Sequence, residues 1–154
     1  MERREMIKAS SSATVLGLGL SAGLISLPAH AQSAWNKAAF DAKTLADVTK
    51  ALGGAAPTES KDIVLQAPEI AENGNVVRIG ASTTNAAVTQ IALLIEKNPN
   101  ALAAVFDVPA GTDANFATNV KMGQSSNVYA LAKMGDKYVY AVKEVKVTLG
   151  GCGG

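Results

Sequence analysis

The sequence predicts a mainly β protein: an immunoglobulin-like antiparallel β-sandwich over residues 58–149, preceded by an N-terminal helix over 32–54 and followed by a flexible tail over 150–154. Three observations predict it. Beyond Pro57 the chain breaks into short apolar runs separated by turn residues, with no helical stretch between them. Seven runs at this spacing suit two packed antiparallel sheets, with a small barrel as the rival architecture. The end of the chain, Gly150-Gly151-Cys152-Gly153-Gly154, offers a packed core nothing but one sulfur.

Residues 1–31 read as an export signal. Arg3-Arg4-Glu5-Met6-Ile7-Lys8 is a twin-arginine pattern, an apolar stretch over 13–27 follows, and Ala29-His30-Ala31 supplies a small-x-small cleavage site. The stretch is too short and too glycine-rich for a membrane span. The mature chain is therefore expected to begin at Gln32 and to work in the periplasm, without stable membrane insertion. His30, the one histidine, leaves with the signal, which excludes Ser-His-Asp and Cys-His catalysis and histidine metal ligation within the mature chain. Loss of Glu2, Arg3, Arg4, Glu5 and Lys8 leaves equal numbers of acidic and basic residues. Nothing in that balance suggests a nucleic-acid footprint. No cofactor motif is present either, although the twin-arginine route carries folded proteins. A partner that lacks its own signal, folded onto this chain before export, would account for the route.

In the helix, Ser33 is placed to cap, and Trp35, Ala39, Ala42, Leu45, Val48 and Leu52 recur at three- and four-residue steps. Trp35 is its expected core anchor; Gly53-Gly54 ends it and Pro57 prevents its resumption. Strands are expected at 62–67, 75–81, 89–96, 101–108, 116–122, 127–134 and 137–149. Asn73-Gly74 is a tight-hairpin signal, since both residues tolerate positive φ, and Gly135-Asp136 is a second. Along the last strand Val139, Ala141, Val145, Val147 and Leu149 suit an inward face that Lys143 interrupts, while Tyr138, Tyr140 and Val142 make the opposite face apolar. Either a bulge shifts the register near Lys143-Glu144, or both faces are partly covered, one of them by the helix or by a partner.

Cys152 is the only cysteine, so an internal disulfide, a CxxC redox pair and a cysteine zinc site are all excluded. Three residues past the last strand, it reaches roughly 10 Å from the sandwich at 3.3–3.6 Å per extended residue. Gly150, Gly151, Gly153 and Gly154 give it access to a narrow cleft and have no catalytic role. No adjacent charge activates the thiol, which suits a handle loaded and unloaded by other enzymes better than an autonomous catalyst.

Lys121-Met122-Gly123-Gln124-Ser125-Ser126-Asn127-Val128-Tyr129-Ala130, with the run from Lys143 through Leu149 into Gly150-Gly151-Cys152-Gly153-Gly154, resembles the SoxY family, the sulfur-carrier subunits of the thiosulfate-oxidising Sox system. The similarity extends through Ala71-Glu72-Asn73-Gly74 and Ile95-Glu96-Lys97-Asn98-Pro99. The resemblance implies a heterodimer with a SoxZ-like subunit. It implies loading of thiosulfate-derived sulfur onto Cys152 by a Sox cytochrome complex, and unloading by a thiosulfohydrolase and a sulfane dehydrogenase. Three other readings compete. One is a redox or interaction module joined through a Cys152 disulfide. Another is a copper(I) site from Cys152, Met122 and Met134, against which both methionines fall in expected strands where core filling is their role. The last is a ubiquitin-like carrier using the terminal Gly-Gly, against which the export signal leads away from the ATP-dependent chemistry it needs and Cys152 has no purpose.

Overall fold

The structure, a computed structural model, describes residues 36–148. Nine strands and two short helices lie within them: α1 (Lys37–Asp41), α2 (Leu45–Ala51), β1 (Thr58–Glu59), β2 (Val64–Gln66), β3 (Ile70–Ala71), β4 (Val77–Thr83), β5 (Val88–Ile95), β6 (Leu102–Asp107), β7 (Ala114–Val120), β8 (Ser126–Met134) and β9 (Lys137–Val147). One sheet runs β1-β9-β8-β5-β6 with β3 also on β9, and the other runs β2-β4-β7. This is the expected immunoglobulin-like sandwich. All the pairings are antiparallel except those of β1 and β3, which lie parallel to β9.

Alternation along the strands builds two cores. Ile91, Leu93 and Ile95 of β5 join Val128, Ala130 and Ala132 of β8 and Val139 and Val145 of β9, facing Val77, Ile79 and Ala81 of β4. The intervening residues Ala92, Leu94, Leu131 and Tyr138 point the other way and pack against Ala39 and Val48 of the helices. A strand buried on both faces reads as a continuous apolar run, which is why β5 and β8 lack a clean period of two.

Seven strands fall where the sequence places them. β1 and β3 were not expected, because two residues beside Pro57 or Pro68 carry no periodicity. The N-terminal helix over 32–54 is, among the described residues, two helices; Ser33 and Trp35 lie outside those residues. Ala42 is extended (φ −65°, ψ 145°), and its carbonyl accepts from the Ala101 amide. Thr44 then starts a new helix by accepting from the Asp47 amide through Oγ1. Thr44-x-x-Asp47 is a capping signal hidden inside an unbroken apolar period. Gly53 ends the helical stretch at φ +88°.

Asn73-Gly74 turns the chain without making the expected two-residue hairpin. The Asn73 side chain accepts from the Asn75 amide, Val76 N–H donates to the Asn73 carbonyl, and neither residue has positive φ. Gly135, at φ +59°, does form the tight β8–β9 connection, with Met134 opposite Lys137.

Candidate functional site

Cys152, Gly150, Gly151, Gly153 and Gly154 lie outside the described residues, as does Leu149. The structure defines the point from which they depart. Lys146 donates its amide to the Glu69 carbonyl and Thr148 to that of Ala71, so β3 clamps the end of β9 from one side. Thr148 Oγ1 also donates to the Glu72 carbonyl at 3.3 Å. From the other side the Val147 amide donates to Ser125 Oγ at 2.9 Å. The strand is held to its last described residue on both flanks.

The register is continuous from Met134↔Lys137 to Ser126↔Val145, so no bulge rescues Lys143. Its side chain lies on the inward-facing row at the side of the sandwich and donates through Nζ to the Ala67 carbonyl at 2.8 Å. Of the two alternatives for β9, partial coverage of both faces is the one observed.

Around this root gather segments distant in sequence. Met122 N–H donates to the Gly74 carbonyl. Asn98 Nδ2 donates to the Lys121 carbonyl at 2.8 Å, and Asn127 Nδ2 to Glu96 Oε2 at 3.0 Å. Ser126, buried, accepts from the Lys97 amide at 3.0 Å. The loop 121–126, the turn at 72–76 and the loop 96–100 thus form a collar at one pole of the sandwich. Sequence reasoning found these segments but missed Ser125 and β3 as the clamp, because one hydroxyl and a two-residue strand leave no pattern.

An open cleft of about 880 Å³ sits at the other pole, between Lys61, Thr83, Asn85, Val108 and Thr112. The eleven residues of β9 separate the poles by on the order of 30 Å. Four residues beyond Thr148 span at most about 14 Å, so this cleft is out of reach of the chain's own cysteine. Met122 is fully buried near the collar, while Met134 lies at the far pole with its sulfur accepting from Asn85. The copper(I) set is not brought together. Among the described residues no group of His, Cys, Asp and Glu could hold a metal, and no helix is long and apolar enough to cross a membrane.

The outer face of the larger sheet is only partly roofed. The helices cover Leu131 and Tyr138, but Tyr129 and Tyr140 remain half-buried in an edge-to-face pair at 5.7 Å. Val142, opposite Tyr129, is 39% exposed, and Ile70, opposite Lys146 near the end of β9, is 59% exposed.

The family described as "Sulfur oxidation protein SoxY" matches residues 48–152. The chain belongs to the SoxY family. Among solved structures it is similar to the sulfur carrier protein SoxY of Chlorobium limicola f thiosulfatophilum. Identity is 31% over 67% of this chain and 96% of that one, with a TM-score of 0.59. A chain from a structure of T cell activation by the bacterial superantigen toxic shock syndrome toxin-1 is a far weaker likeness, 12% identical with a TM-score of 0.41 over 56% of this chain and 99% of that one. No curated protein matches. The SoxY match runs from inside α2 through the collar to Cys152, so clamp, collar and cysteine all fall within it.

Proposed function

We propose that this SoxY-family chain is a covalent carrier of sulfur intermediates on Cys152, exported to the periplasm by the twin-arginine route. The observation that carries the reading is the lone cysteine between glycine pairs, five residues beyond the end of a strand held on both sides. A fixed root with a thin glycine arm delivers a sulfur into a cleft while the body stays outside. The solved relative named a sulfur carrier supports the same reading.

Loading joins the sulfane sulfur of thiosulfate to the Cys152 sulfur. The thiol proton leaves to solvent and two electrons pass to the cytochrome complex, leaving a cysteine S-thiosulfonate with one negative charge. Hydrolysis then places the water oxygen on the terminal sulfur, releases sulfate and leaves a persulfide. The sulfane dehydrogenase and a second hydrolysis clear the remaining sulfur. The chain itself presents the intermediate, and the chemistry belongs to its partners. The SoxZ-like subunit finds a suitable surface in Tyr129, Tyr140 and Val142, an apolar patch on the outer face of the larger sheet.

The test is mass spectrometry of the C-terminal peptide, isolated without reductant from thiosulfate-grown cells. Adducts of thiosulfonate or sulfane mass on Cys152 that vanish on reduction are expected, and none in Cys152→Ser. A bare thiol or a plain disulfide in the wild type would overturn the carrier reading in favour of a disulfide-linked module.

A further inference from the structure

On the outer face of the smaller sheet, Arg78, Gly80 and Ser82 of β4 alternate with the core residues Val77, Ile79 and Ala81. Gly80 lies opposite Gln66 on β2 and Ala117 on β7. A Cβ at Gly80 would sit 2.7 Å from the Phe116 carbonyl oxygen and 3.0 Å from Ala117 Cβ, so the position is confined to glycine. The missing side chain leaves a depression of about 180 Å³ bordered by Gln66, Ala67, Arg78 and Ala117. Arg78 is the only arginine among the described residues and is exposed. The one ion pair among those residues is Lys37–Asp41, so no carboxylate neutralises it. A notch with an uncompensated guanidinium on its rim suits a small oxyanion, since the planar fork matches two oxygens of one group.

We infer that this notch docks the loaded arm of the same chain, with Arg78 holding the sulfonate oxygens of the Cys152 S-thiosulfonate. The inference rests on the carrier reading and adds a resting place for the cargo. Chain length and the position of the root support it. Thr148 bonds to Ala71 and Glu72, and the turn closed by Val76 and Asn73 leads from there into β4. With a turn spanning under 7 Å and extended residues at 3.3–3.6 Å, the Cα atoms of Thr148 and Arg78 are at most about 24 Å apart. Four tail residues span about 14 Å, and the loaded cysteine and the arginine side chain each add several ångströms. Charge selects the loaded form, because loading turns a neutral thiol into an anion. The occupant is the cargo-bearing arm of this chain.

Tetrathionate loads the arm without any partner enzyme. The Cys152 thiolate attacks an inner sulfur, forms the new S–S bond and expels thiosulfate with the bonding pair, leaving the S-thiosulfonate. In the full chain, with loading verified by intact mass, NMR signals of the Arg78 side chain and of the Gly80 and Ala117 amides are expected to shift on loading. The shifts should be independent of protein concentration, absent in Arg78→Gln, and lost near 1 M salt, where the screening length falls to about 3 Å. No shift on loading, the same shift in Arg78→Gln, or a shift that grows with protein concentration would overturn the docking. The outcome is separable from the carrier reading. Adducts on Cys152 in cells with a silent Arg78 would refute the dock alone, whereas docking of tetrathionate-loaded protein without cellular adducts would refute the carrier.

Discussion

Tyr138 joins the helical cover to the sandwich through one side chain. Its hydroxyl donates to the Leu52 carbonyl at 2.9 Å, and its ring lies where a Cβ on Gly54 would come within 2.3 Å of it. Tyr138→Phe should cost about 1 kcal/mol, the net worth of one such bond, as a lower urea midpoint with an unchanged slope. Burial holds the Tyr138 phenol above its usual value of 10.0. Tyr129 moves the same way, through burial first and the nearby Glu96 charge second. Both phenols are easier to ionise unfolded than folded. Their contribution to stability is therefore complete below about pH 10 and lost as pH rises through the folded values. Alkaline titration of the unfolding free energy should show that fall, and Tyr138→Phe should make it shallower. At this scale the sequence made Lys143 conspicuous as a charge on an inward row, but its partner is a main-chain carbonyl. A backbone acceptor at Ala67 has no signature in residue identity.

Strands with enough length to show a pattern were legible; the short pieces that fasten them were not. β4 through β9 each present alternation or an apolar run between turn residues. β1, β3 and the break at Ala42–Thr44 depend on pairings with Tyr140, Val147 and Ala101 that only the assembled fold supplies. Gly80 shows how one element constrains another. Gly80→Ala forces β4 against the β7 backbone and should destabilise by about 1–3 kcal/mol, read as a fall in the thermal midpoint. The clamp at the end of β9 has its own test. Ser125→Ala removes the acceptor of the Val147 amide and should speed hydrogen exchange at Val147 and Thr148 about five- to tenfold, for a loss near 1 kcal/mol, leaving central β8 and β9 amides unchanged.

Across the whole molecule the two poles differ in what they offer. The open cleft lies at one, and the collar and the clamp on the end of β9 lie at the other. The half-roofed face with Tyr140 and Val142 runs toward the arm, so a subunit seated there would stand next to the cargo. Val142→Glu should leave the thermal midpoint within a few degrees of wild type, because the side chain is partly exposed. It should weaken association with the proposed SoxZ-like partner at least about tenfold, since a charge would be buried against apolar surface, measured by calorimetric titration. Unchanged affinity would move the contact to another face. The clamp on Thr148 also has a kinetic meaning. On the proposed carrier reading, a sulfur tethered four residues from a fixed pivot is met by a docked enzyme at an effective concentration in the millimolar range or above, whatever the abundance of the carrier. Each transfer then behaves as a first-order event, and the flux of sulfur is governed by how often bodies meet, not by how dilute their cargo is.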